Sequence, residues 1–148
     1  MGCGTWLRRR YWRHALADAT YQNTPKFQLP LRWAKVVKVY DGDTCHLAFR
    51  QAGSVWRHPL RLLGYDCAEM RAQGEPERQL ARQSKAQLEQ LLLGRVVELR
   101  PPLGWDKYGR LLADLRLPGT PSVCAWMLEH GGAVPYNGGT KQRWPCSK

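Results

Sequence analysis

Three stretches of the chain gather acids and arginines. They are Asp41-Gly42-Asp43-Thr44, then Arg61 followed by Asp66 and Glu69, then Asp106-Lys107-Tyr108-Gly109-Arg110. Arg61 stands among Leu60, Leu62 and Leu63, and a guanidinium drawn into apolar surroundings needs an anion to pair with. Asp66 or Glu69 can be that anion in a purely structural ion pair. Asp41-Gly42 likewise has a plain reading as a hairpin turn. Zinc chemistry is not indicated, because the five cysteines are widely separated and form neither a CxxC pair nor a Cys/His spacing of the zinc type. They read as free thiols in a reducing compartment.

The elements that must position these groups are legible from periodicity. Residues 33–40 are rich in Val, residues 44–49 put Cys45, Leu47 and Phe49 on one face, and residues 55–63 continue in the same style. These are strands, with Asp41-Gly42 and Ala52-Gly53 as their turns. From residue 77 to 93 the apolar positions follow helical spacing, with Pro76 in the first turn and Gly94 as the stop. Residues 95–100 and 110–117 read as two more strands, and Thr120-Pro121 opens a last helix through Val123, Trp126, Met127 and His130. Three strands, a helix, two strands and a helix close most simply as an α+β fold, mainly β: a five-stranded barrel with packed helices. The three polar stretches then fall at strand ends, where side chains converge at a barrel mouth.

The chain has 148 residues, with 23 Lys+Arg against 12 Asp+Glu and a formal net charge of +11. That length suits one domain, and 43% hydrophobic residues suffice for a core. No apolar run reaches the roughly 20 residues that cross a bilayer, and no secretory signal is visible, so an intracellular setting is expected. The excess of positive charge favours a polyanion, either nucleic acid or an anionic membrane surface. Its distribution is uneven: residues 1–33 are net +5, residues 137–148 net +3, and the long middle stretch only +3. Around residues 5–16, Leu7, Tyr11 and Ala15 form a helical stripe opposite Arg8, Arg9, Arg10 and Arg13. Such a helix can dock on a membrane, a phosphate backbone or a protein, or pack through Trp6 and Trp12 on the domain. Met1-Gly2-Cys3 hints at acylation, although Trp6 stands where the usual pattern has Ser or Thr.

Taken together, the motifs Val39-Tyr40-Asp41-Gly42-Asp43-Thr44, Arg61-Leu62-Leu63-Gly64-Tyr65-Asp66-Cys67-Ala68-Glu69 and Asp106-Lys107-Tyr108-Gly109-Arg110 resemble the staphylococcal nuclease-like (thermonuclease) domain over residues 33–136. The resemblance implies an OB-fold barrel, and the uneven charge leaves a basic, Trp-rich flank at residues 1–32 and a basic tail at residues 137–148 outside it. It implies a calcium site with Asp43 and Asp66 as carboxylate ligands and the main-chain carbonyl of Cys67 as a third, a donor set of hard oxygens. Glu69 is then expected to orient or deprotonate the attacking water, Arg61 and Arg110 to grip the phosphate, Lys107 and Tyr108 to hold its neighbour, and Tyr136 to stack near a base. The expected reaction is hydrolysis of DNA and RNA, single-stranded or frayed by preference, to 3′-phosphate products with little sequence specificity.

Two departures bear on this. Ala68 stands where the family pattern usually has Pro, which loosens the turn carrying Asp66 and Glu69. Only twelve residues follow Tyr136, too few for the third helix of the bacterial prototype. The competing reading is an OB-fold scaffold that binds nucleic acid or protein within a larger assembly, with catalysis weak or unused.

Overall fold

A computed structural model of the chain describes residues 12–14, 16–141 and 144. Five strands close the barrel: β1 (Trp33–Val39), β2 (Thr44–Gln51), β3 (Ser54–Leu62), β5 (Val96–Trp105) and β6 (Leu111–Arg116), in the spatial order β1-β2-β3-β6-β5. Neighbours are antiparallel except β3 and β6, which run parallel, and β5 returns to β1 to complete the ring. The closure follows from alternation. Ala34, Val36, Cys45, Leu47, Leu60, Leu62, Val97, Leu99, Leu111, Ala113 and Leu115 all point inward and are buried. Ala52 and Gly53 both take positive φ in the two-residue turn between the paired residues Gln51 and Ser54, the geometry that matches strand twist. The molecule is thus an α+β protein built on a mixed five-stranded barrel.

Helix α1 (Glu75–Leu92) begins after Gly74 with Pro76 in its first turn and buries Ala81, Ser84, Leu88 and Leu92. Helix α2 (Val123–His130) is capped by Ser122, whose hydroxyl accepts from the Ala125 amide at 3.0 Å, and it buries Val123 and Met127. The Ser84 hydroxyl donates to the Gly131 carbonyl at 2.7 Å and so ties α1 to the end of α2.

Two features depart from expectation. A small antiparallel sheet of β4 (Gly64–Asp66) and β7 (Val134–Tyr136) stands beside the barrel; three-residue strands are too short to show a period in sequence. Strand β5 also runs on past Arg100 to Trp105, with a register shift between Arg100 and Gly104. Pro101 and Pro102 lack the N–H that a ladder needs, so they look like a strand end, yet an irregularity in the ladder accommodates them. The N-terminal helix is only partly within the described residues: 12–14 and 16–17 are helical, and Trp12 and Leu16 are exposed there. Trp6, Cys3 and the first arginines lie outside them. Cys45, Cys67 and Cys124 are free. No helix among the described residues is long and apolar enough to cross a membrane.

Candidate functional site

The first polar stretch links β1 to β2 and is fixed from several sides. The Tyr40 amide donates to the Thr44 carbonyl at 2.8 Å, the Asp43 amide to Asp41 Oδ1 at 3.2 Å, and the Leu62 amide to the Asp43 carbonyl at 2.8 Å. The fully buried Tyr65 donates its hydroxyl to the Gly42 carbonyl at 2.9 Å. Gly42 is pressed so closely on the neighbouring turn that a Cβ there would lie 2.8 Å from Cys67 Cβ and 2.9 Å from Ser84 Cβ. Glycine is needed here for close approach.

This turn faces Arg61 near the end of β3 and Asp66 at the end of β4. Arg61 Nη2 donates to Asp43 Oδ2 at 3.0 Å and to Asp66 Oδ1 at 3.1 Å, with all three side chains largely buried. Arg61 Nε and Nη1 have no protein partner among the described residues, and no buried side-chain nitrogen there is left unsatisfied. Those two donors therefore reach solvent. Thr44 Oγ1 donates to Asp43 Oδ1 at 2.8 Å and accepts from Arg110 Nη1 at 3.1 Å. Arg110 is braced in turn by Asp106, which accepts from its Nε at 2.6 Å and its amide at 2.9 Å. On the other flank, Lys141 Nζ lies 2.9 Å from Glu69 Oε1 and 3.5 Å from Asp66 Oδ2. One chain of contacts thus runs from Asp106 through Arg110, Thr44, Asp43, Arg61, Asp66 and Lys141 to Glu69.

The charges on this chain do not fully cancel. Burial and the neighbouring Asp41 push the Asp43 carboxyl above its ordinary range, against the pull of Arg61 and Thr44. Burial raises Asp66 too; Lys141 and Arg61 oppose the rise, and Asp43 adds to it. Two acids held up by burial, Asp43 also by Asp41 and Asp66 also by Asp43, leave room for further positive charge. Asp106 behaves in the opposite way: burial opposes its ionisation, but hydrogen bonds from Arg110 and Tyr108 outweigh it and hold the carboxyl low. Burial and then the charge of Asp43 push the Cys67 thiol up to about 12, which disfavours the thiolate at neutral pH.

All nine residues singled out in the sequence line one cleft of about 1260 Å³. Asp43, Asp66, Arg61 and Arg110 meet within it through Thr44. Glu69 stands at its rim, more exposed and paired with Lys141. Lys107 lies with its ammonium 5.0 Å from the ring centre of the exposed Tyr108, and the Arg110 guanidinium is 5.7 Å from the same ring. The Tyr136 ring is covered by the Arg61 guanidinium at 5.3 Å, and its hydroxyl donates to the Gly139 carbonyl. Its sequence neighbours gave no sign of this, since β7 brings it to the site. Thr44, Asp106 and Tyr65 lie inside the quoted motifs, but their bracing work depends on the third dimension. Lys141 sits in what reads as a tail, and only proximity to Glu69 reveals it.

The donors suit a hard cation: two buried carboxylates whose charge is incompletely balanced, with Asp41 beside them. No group of three or more His, Cys, Asp or Glu is close enough to form a metal cluster among the described residues. A cation would therefore take part of its shell from main-chain oxygen, solvent and ligand.

A closed five-stranded barrel with two arginines set against paired acids at its mouth is an OB-type domain. The model of the family described as staphylococcal nuclease homologue matches residues 59–144, more than half of the chain, and the chain belongs to that family. A comparison with curated proteins gave no match.

Proposed function

We propose that the protein is a calcium-dependent phosphodiesterase of low sequence specificity that hydrolyses DNA and RNA. The reading is supported above all by the convergence of Arg61 and Arg110 with Asp43, Asp66 and Glu69 in one cleft. We assign the activity to a domain of residues 33–136, with residues 1–20 as a segment for docking on a membrane surface or a protein. In this reading Arg61 keeps Nη2 on the two aspartates and offers Nε and Nη1 singly to phosphate oxygens, while Arg110 takes the other side. Both guanidiniums stabilise the negative charge that grows on phosphorus in the five-coordinate transition state. Asp43, Asp66 and the Cys67 carbonyl would hold a calcium ion, which would supply positive charge beside the phosphate and acidify nearby water. Glu69 takes a proton from the attacking water, for which its contact with Lys141 must open. The bond from phosphorus to the 5′-oxygen breaks, and solvent returns a proton to that oxygen. Lys107 and Tyr108 hold the neighbouring phosphate, and Tyr136 supports Arg61 and the adjoining base.

A second reading is a scaffold that binds nucleic acid or a protein without cutting. It is favoured by Lys141, a built-in cation already seated on Asp66 and Glu69. End-group analysis separates the two. An end-labelled single-stranded oligonucleotide in millimolar calcium should yield fragments with 3′-phosphate and 5′-hydroxyl ends. Intact oligonucleotide that is nevertheless bound points to the scaffold, and 5′-phosphate products contradict the proposed direction of cleavage.

A further inference from the structure

The outer face of β1, β2 and β3 carries cations and no acid: none of the three strands contains Asp or Glu. Register places Lys35, Ala48 and Arg57 in one row across the strands and Lys38, His46 and Pro59 in the next. Lys35, Lys38 and Arg57 are exposed. None of the three has an ionic partner among the described residues. The crowding is felt locally, for partial burial and then the charges of Arg57, Lys38 and His58 hold His46 below its ordinary value.

Two observations connect this face to the cleft. Arg57, Pro59 and Arg61 alternate along β3 on one side, so the row that begins at Arg57 ends, about 13 Å further on, at the guanidinium between Asp43 and Asp66. Tyr40, half exposed at the end of β1, lines the cleft where the Lys38 row meets it. A linear set of unpaired cations with an aromatic ring at its junction matches a chain of evenly spaced phosphates and bases. Trp33, Val37 and Val55 are also exposed beside these cations, so an anionic membrane surface is the alternative that the test separates.

We propose that the outer face of β1–β3 is a binding track for the backbone of single-stranded nucleic acid, which leaves the cleft past Lys38 and His46 and crosses Lys35 and Arg57. The proposal rests on the reading of the cleft as a phosphodiester site. It makes affinity grow with strand length beyond what the cleft can hold, without base preference.

The test uses the full chain in chelator, where no cleavage is expected, and thymidine oligonucleotides of about 4 and about 16 nucleotides, the span of OB-fold site sizes. Fluorescence anisotropy is followed over a salt series for wild type, Arg57→Gln and the triple variant Lys35→Gln/Lys38→Gln/Arg57→Gln. Thermal melting checks that the variants are folded. The triple variant should bind the longer strand about tenfold more weakly, lose less on the shorter one, and flatten the slope of log affinity against log salt by about 2. Arg57→Gln alone should flatten it by about 0.7. Unchanged affinity and slope on the longer strand overturn the track. So does a variant that loses binding to phosphatidylserine vesicles but keeps its oligonucleotide binding, because the face is then a membrane surface. A wild-type protein that binds the long strand through these residues yet leaves it intact in calcium refutes the cleft reading while the track stands.

Discussion

Arg61 joins two tasks in one side chain. Its Nη2 holds Asp43 and Asp66 together, and its remaining donors face the cleft. Removing the side chain outright would leave two buried acids facing each other, a loss of about 3–5 kcal/mol, so alanine there confuses stability with catalysis. Arg61→Lys is the sharper probe. It keeps the charge but gives up the planar fork, and kcat should fall by about 10²–10³ with the fold retained; wild-type turnover by Arg61→Lys would remove Arg61 from phosphate binding. The identity of the site groups was readable in sequence because an arginine inside a leucine-rich strand is unusual and the acids follow it closely. Their partners were less readable. Thr44 looks like an ordinary strand starter until its hydroxyl is seen between Asp43 and Arg110, and Lys141 lies 72 positions from the Glu69 it touches.

At the scale of elements, the β1–β2 connection holds the site by contact more than by turn chemistry. Gly42 abuts Cys67 and Ser84, whose Cβ atoms are anchored to β4's exit and to α1. Gly42→Ala should therefore cost about 1–3 kcal/mol in urea unfolding and weaken calcium binding as well, because the turn must move with Asp43. A variant as stable as wild type would show that the turn relaxes freely. Long elements were legible because their periods repeat: the helix beginning near residue 77 and the three strands before it fall within a few residues of their positions. Strands β4 and β7 were not, since pairs of three-residue strands are specified by each other across some 70 residues and not by local pattern. Yet this small sheet delivers Asp66 and Tyr136, so part of the site's geometry is hidden in the least legible element.

For the molecule as a whole, the net charge of +11 divides between a cluster where acids and arginines nearly cancel and surfaces where cations stand unopposed. The raised carboxyls of Asp43 and Asp66 set a pH dependence. An acid whose folded pKa is raised favours the folded state when protonated, and that contribution is lost as pH rises through its folded pKa. Without calcium, the pair should thus weigh against stability at neutral pH. A cation needs both acids ionised, so protons compete with it at higher pH than for ordinary carboxylates. Calcium affinity by calorimetry should drop clearly between about pH 7 and about pH 5, and a pH-independent affinity would place the ion elsewhere.

Whether these carboxylates and arginines hydrolyse phosphodiesters is read from single-turnover cleavage of single-stranded DNA and RNA in calcium, in chelator, and by Glu69→Gln in calcium. Cleavage is expected in calcium alone, with Glu69→Gln slower by about 10²–10⁴. Equal rates for Glu69→Gln and wild type, or no cleavage by a protein shown to bind calcium, would contradict it.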